Sequence, residues 1–149
     1  MELDKILSQA RCHCQLEGSS KKRILKTIGE YLSNSSSELD AGDIFNSLMA
    51  REQLGSTGIG AGIAIPHCRV PFCSDIVGML ITLKEAIDFD SIDDSPVDII
   101  FVLIVPEQKT DEHIQTLAGL ARLFSDNDFC YTLRNTQDSE DLYNIAITY

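Results

Sequence analysis

No stretch of this 149-residue sequence is apolar for long enough to span a membrane. The first ten residues, "MELDKILSQA", are acidic-first and amphipathic, without the basic start and apolar centre of a secretory leader. A cytoplasmic protein, not inserted in a membrane, is therefore expected. The five cysteines (Cys12, Cys14, Cys68, Cys73 and Cys130) are odd in number and match no disulfide framework, so reduced thiols are expected. Positive charge is also scarce. Twelve Lys and Arg stand against 23 Asp and Glu, a formal net charge of −11. Such a field repels nucleic acid unless a basic patch offsets it. The one basic cluster, Lys21-Lys22-Arg23, reads as the solvated face of a helix, so no nucleic-acid partner is expected. Repeats and low-complexity tails are absent too.

What is present is the composition of a soluble globular chain, 44% hydrophobic and 23% charged, at the length of one ordinary domain. Helical spacing of Ile24, Leu25, Ile28, Tyr31 and Leu32 predicts a first helix, capped by Ser19 or Ser20. Ile44, Phe45, Leu48 and Met49 predict a second, capped by Asp40 and ended by Gly55. The serine-rich "SNSSSELD" at 33–40 joins them. "AGIAIPH" at 61–67 reads as a short strand stopped by Pro66, and "DIVGMLITLK" at 75–84 as another. "VDIIFVLIVP" at 97–106 is almost continuously apolar and rich in Val and Ile, the pattern of a central strand covered on both faces. "TDEHIQTLAGLARLFSD" predicts a helix with Ile114, Leu117, Ala118, Ala121 and Phe124 on one face and His113 in its first turn. Two shorter helices follow, and there is room for an extra strand near Gln15. The expected fold is a single α/β domain over 1–149, with a mixed parallel and antiparallel sheet of about five strands flanked by helices on both faces.

The chemistry concentrates in "GSTGIGAGIAIPHC" at 55–68. Glycine-rich backbone can converge N–H groups on an anion. Two familiar uses do not fit. A P-loop ends in Gly-Lys-Ser/Thr, and 55–62 holds no lysine. A dinucleotide fingerprint runs strand, glycines, helix, whereas the order here is helix, glycines, strand. A tight connection and nothing more is the plain alternative. Against it stand Arg51 one turn before the loop, the hydroxyls of Ser56 and Thr57 within it, and His67 after it.

Pro66 stiffens the chain just before His67. His113, at a helix start beyond the buried strand, lies where ligands bind in α/β sheets and where a helix favours anions. Both histidines also have ordinary structural readings, as a strand-end residue and a surface residue. Cys12, His13 and Cys14 invite a zinc reading, but zinc sites use C-x₂₋₄-C pairs and no second pair has that spacing. No metal and no cofactor is expected. Two histidines, an arginine and a glycine loop suit phosphoryl relay through a phosphohistidine. Neutral imidazole is a nucleophile near pH 7, and cations with backbone donors stabilise the group in transit.

"AREQLGSTGIGAGIAIPHCRV" and "FDSIDDSPVDIIFVLIVPEQKTDEHIQTLAGLARLFSD" closely resemble the two conserved blocks of the enzyme IIA domain of the fructose/mannitol class in the bacterial phosphotransferase system. The likeness runs from about Leu16 to Leu142, and within the family it is most like the nitrogen-regulatory branch. The resemblance implies that His67 matches the phosphorylated histidine, His113 the second active-site histidine and Arg51 the active-site arginine, with Ser56, Thr57 and Gly58 in the phosphate-binding loop. It implies an HPr-like phosphocarrier as donor. It also implies regulation of target proteins (kinases or transporters, linked to nitrogen or potassium) by phosphorylation state. The alternatives are a IIA component that passes phosphate to a separate IIB sugar-transport domain, and a binding module that has lost transfer. Two positions depart from the family pattern: Ala61, where a polar residue is expected, and Cys68, where a small residue is expected. Cys68 beside His67 raises the idea of redox sensitivity.

Overall fold

The structure, a computed structural model, describes residues 2–71, 73–108 and 110–149. Two 3-10 turns, Leu3–Lys5 and Gln9–Arg11, lead into β1 (Cys12–Leu16). Helices α1 (Lys21–Ser35) and α2 (Ala41–Gln53) follow. Three short strands come next: β2 (Gly58–Gly60), β3 (Ile63–Ala64) and β4 (His67–Val70). Two long ones, β5 (Val77–Ile87) and β6 (Val97–Pro106), complete the sheet. The chain ends in α3 (Thr110–Leu123), α4 (Asn127–Arg134) and α5 (Ser139–Thr148).

The caps are those the side chains allow. Ser20 Oγ accepts the Arg23 N–H at 3.1 Å, and Asp40 Oδ2 accepts the Asp43 N–H at 3.0 Å, each satisfying a donor that the first turn of a helix leaves free. Past α2, the Gly55 N–H returns to the Glu52 carbonyl, with Gly55 at φ +150°.

The sheet is mixed and open, in the order β1-β5-β6-β3-β2, with β4 also paired to β6. β6 runs antiparallel to β5 and parallel to both β3 and β4. Its alternation divides the core. Ile100, Val102 and Ile104 face a cluster built with Ile24, Leu25, Ile28, Leu32, Ile44 and Leu48 of α1 and α2. Ile99, Phe101, Leu103 and Val105 face a second cluster with Leu120, Phe124, Phe129, Leu133 and Leu142 of α3, α4 and α5. The strand is thus covered on both faces, as its unbroken apolar sequence requires.

The mixed sheet has six strands, with β1 falling where the sequence leaves room for a strand near Gln15, and two expectations change. The 61–67 stretch is not one strand: β3 ends at Ala64, and β4 begins at His67. Pro66 has no N–H to give a ladder, and only its carbonyl joins the sheet, accepting the Leu103 N–H at 2.9 Å. His67 therefore opens a strand instead of closing one. Along α3 and the residue after it, the described buried positions are His113, Leu120 and Phe124, with Leu117 half-buried, while Ile114 is 59% exposed and Ala118 and Ala121 face outward. The inward line is 113, 117, 120 and 124, with an imidazole in a place that apolar counting assigns to Ile114.

The turn between β2 and β3 has Gly60, Ala61 and Gly62 all at positive φ, at +102°, +57° and +83°. Arg134 Nη2 holds the Ala61 carbonyl at 2.7 Å, and Asp93 Oδ2 accepts its N–H at 3.0 Å. The backbone is pinned in the left-handed region, which costs an L-residue with a Cβ about 1–2 kcal/mol. Ala61→Asn is expected to raise stability by about 0.5–1 kcal/mol, because Asn visits this region more readily. A denaturation midpoint at or below that of the parent chain would contradict this.

Candidate functional site

Alternation along β4 fixes where the site lies. Cys68 and Val70 point into the α1–α2 side of the core, so His67 and Arg69 point to the side that carries α3. The His67 and His113 ring centroids are 5.4 Å apart with planes at 57°. The half-buried His67 ring has Nδ1 2.8 Å from the Ile65 carbonyl. A carbonyl only accepts, so Nδ1 carries the proton and Nε2 keeps its lone pair. The break at Pro66 permits this contact between residues two apart.

Burial lowers the His67 pKa below its ordinary 6.5, the bond to Ile65 opposes that, and the Arg51 charge lowers it further. His113 is lowered as well, by burial first, then by the charges of His67 and Arg69. Both shifts favour the neutral ring at pH 7. His113 is 7% exposed, and its Nδ1 has no hydrogen-bond partner among the described residues. An orphaned imidazole nitrogen in the first turn of a 14-residue helix, beside a second imidazole, is an arrangement short of an anion.

Arg51 ends α2, with its guanidinium donating to the Gly55 carbonyl at 2.8 Å. His67 and His113 are thus neighbours, and the Arg51 charge reaches His67. The loop hydroxyls are employed differently from the sequence expectation. Ser56 donates to the Phe89 carbonyl at 2.6 Å and accepts the Gly58 N–H at 3.0 Å. Thr57 is buried and gives both its N–H and its hydroxyl to the Glu52 carboxylate. Those donors are taken up by Phe89, by Glu52 and by Ser56 itself, so in this arrangement Ser56, Thr57 and Gly58 shape the loop.

Sequence reading missed two groups. Arg69 is exposed, two residues beyond His67 on the same strand face, and its charge acts on His113. The signal was the i, i+2 spacing once a strand starts at His67. Glu52, with its partner Lys21, was hidden because a charged residue in a last helical turn ordinarily faces water.

Cys12 belongs to the α3–α5 side of the core and Cys14 packs against it, whereas His13 stacks on Tyr31 of α1 at 4.5 Å. Strand alternation puts His13 on the opposite face from Cys12 and Cys14, and no group of three His, Cys, Asp or Glu suited to a metal occurs among the described residues. Cys68 is buried in the core and its thiol is pushed up to about 12 by burial, which keeps it protonated and unreactive at neutral pH.

A mixed sheet between two helical layers thus carries two neighbouring imidazoles, one at the start of β4 and one in the first turn of α3. Residues 5–148 match the family of the phosphoenolpyruvate-dependent sugar phosphotransferase system, EIIA 2, and the chain belongs to it. Within that family it is similar to the nitrogen regulatory protein of Pseudomonas aeruginosa strain PAO1, 42% identical over 99% of this chain and 96% of the relative. The nitrogen regulatory protein of Escherichia coli K12 is 40% identical over 96% of this chain and 85% of its own length. Among solved structures, the nitrogen regulatory protein IIA-Ntr of Neisseria meningitidis superposes with a TM-score of 0.90 at 38% identity, covering 96% of this chain and 97% of that one. The mannitol IIA of Escherichia coli shares the fold, with a TM-score of 0.78 at 18% identity over 93% and 96% of the two chains.

Proposed function

We propose that the chain accepts a phosphoryl group on His67 Nε2 from an HPr-like phosphocarrier and acts in the cytoplasm as a regulator, binding different target proteins in its phosphorylated and free forms. The supporting observation is the His67 ring itself. Its Nδ1 proton is held by the Ile65 carbonyl, which leaves Nε2 as a neutral nucleophile beside His113.

The step is a displacement at phosphorus. The Nε2 lone pair forms the new N–P bond while the donor's N–P bond breaks, and that electron pair stays on the donor imidazole. No proton need move, because Nδ1–H stays on the Ile65 carbonyl, where it stabilises the positive charge that develops on the ring. Arg51, Arg69 and the first turn of α3 offset the anionic oxygens. The His113 ring lies beside the accepting imidazole, its centroid 5.4 Å away. The added dianion on an already acidic surface then alters what binds.

The test is incubation with phosphoenolpyruvate, enzyme I and an HPr-like carrier, read by intact mass. An acid-labile gain of one phosphoryl group is expected. A folded protein that gains none would overturn the reading. Passing the group on to a separate IIB domain is the alternative. The nitrogen regulatory relatives at 38–42% identity favour regulation over it.

The pH behaviour follows from the two lowered imidazoles. The nucleophile is the neutral form, so acceptance is expected to be insensitive to pH above 6.5 and to fall as pH drops through the depressed His67 value. Stability follows the same sign. Below 6.5 the unfolded chain binds more protons than the native one, so these residues make stability fall as pH falls. Ring-proton NMR titration should place both midpoints below 6.5, and phosphorylation should raise that of His113 by placing a dianion beside it. Midpoints at or above 6.5 in the free protein would contradict the assignment.

A further inference from the structure

Glu52 is the only buried carboxylate among the described residues, on the inward line of α2 that begins with Ile44 and Leu48. Its Oε1 accepts the Thr57 N–H at 3.0 Å and lies 3.0 Å from the Lys21 ammonium, and its Oε2 accepts the Thr57 hydroxyl. Lys21 comes from the first turn of α1, sits 4.8 Å over the Phe89 ring, and lies 3.6 Å from Asp90. The Thr57 carbonyl accepts the Ile65 N–H at 3.0 Å. The Ile65 carbonyl holds His67 Nδ1. One unbroken run of polar contacts therefore passes from Lys21 through Glu52, Thr57 and Ile65 to the His67 ring.

We propose that Glu52, with Lys21 as its counter-charge, is a positioning residue that sets the tautomer and aim of His67 through Thr57 and the Ile65 carbonyl. This rests on the reading of His67 as phosphoryl acceptor. Stability alone does not account for an ion pair at this point, because well-packed apolar side chains would join two helices at least as well. The carboxylate supplies what an apolar group cannot: two acceptors that take both donors of a single residue and fix its carbonyl toward Ile65. The carbonyl at Ile65 in turn decides which imidazole nitrogen is protonated. Arg51 clamps the same loop from the neighbouring position, so consecutive residues of α2 divide the work. One offers charge toward the phosphoryl group and the other holds the frame.

The test compares the parent chain with Glu52→Gln, the near-isosteric Thr57→Val and the conservative Thr57→Ser, each checked for folding by circular dichroism. Nitrogen-15 NMR of the unphosphorylated proteins reads the His67 tautomer. Single-turnover labelling by the phosphorylated HPr-like carrier reads the rate as donor concentration is varied. The parent chain and Thr57→Ser should show one tautomer, with the proton on Nδ1. Thr57→Val and Glu52→Gln should show a mixture, with the limiting rate reduced at least about tenfold and the half-saturating donor concentration unchanged. Folded Thr57→Val and Glu52→Gln proteins with the parent tautomer and rate would overturn the proposal. If Glu52→Gln does not fold, Thr57→Val decides alone. Should the parent chain accept no phosphoryl group, the acceptor reading fails, while the tautomer measurement still tests the positioning.

Discussion

A His67→Ala variant is expected to stay folded and to accept no phosphoryl group at all. The side chain is half-buried at the first position of a short strand and, among the described residues, hydrogen-bonds the Ile65 carbonyl. Its loss costs about 1 kcal/mol of stability, a small part of the total for a domain of this size. Function has no such reserve. His113, the neighbouring imidazole, is 7% exposed and has a buried Nδ1, so it does not replace an outward-facing nucleophile. Arg51→Ala should leave acceptance possible but slow it by about a hundredfold, the scale of losing one charge-stabilising donor at a reacting group. Intact mass after enzymatic labelling measures both. Labelling of His67→Ala at the parent level would move the acceptor elsewhere and undo the proposed chemistry.

The largest expected effect on stability belongs to Phe101→Ala. Phe101 is fully buried at the middle of β6, opposite Leu80, with the Phe124 ring centroid at 6.0 Å. The sheet is shaped around it: a Cβ on Gly78 would lie 2.9 Å from Phe101 Cζ, so the strand beside it gives up a side chain to admit the ring. Truncation leaves a cavity between two rigid layers that cannot collapse, at a cost of about 3–5 kcal/mol. For a chain of this length that lowers the melting temperature by roughly 10–15 °C. Calorimetry checks the value, and a shift under a few degrees would mean that α3 and α4 settle into the space. The complementary Gly78→Ala should destabilise by about 1–3 kcal/mol through overpacking.

The sequence revealed the helices, the central strand and the family because those depend on local signals. Ser20 and Asp40 cap the helices on their own chemistry, and the run from Val97 to Pro106 is too apolar to leave either face wet. The stretch from Phe89 to Asp126, the second that resembles the family, carries His113 to the first turn of α3. Local signals also misled in two places. Apolar counting along α3 turned Ile114 inward and left His113 undecided, whereas the fold buries the imidazole and exposes the isoleucine. Periodicity read one strand over 61–67 because Ile63, Ala64 and Ile65 are all apolar. The missing N–H of Pro66 instead divides the line that β3 and β4 form along β6.

By itself, then, the sequence determined the class of fold, the family and the residues that could carry chemistry, since side-chain type, spacing and charge are written in it directly. Which nitrogen of His67 is free was left to the tertiary structure, because that depends on a carbonyl brought into reach by a broken strand. So was the fate of the loop hydroxyls, which a buried carboxylate on α2 and the Phe89 carbonyl, just past the end of β5, take up. Glu52 and Lys21 stand 31 residues apart, as their numbers show, and nothing local pairs them. The packing of α1 against α2 decides that contact, and through it the loop that leads to the histidine.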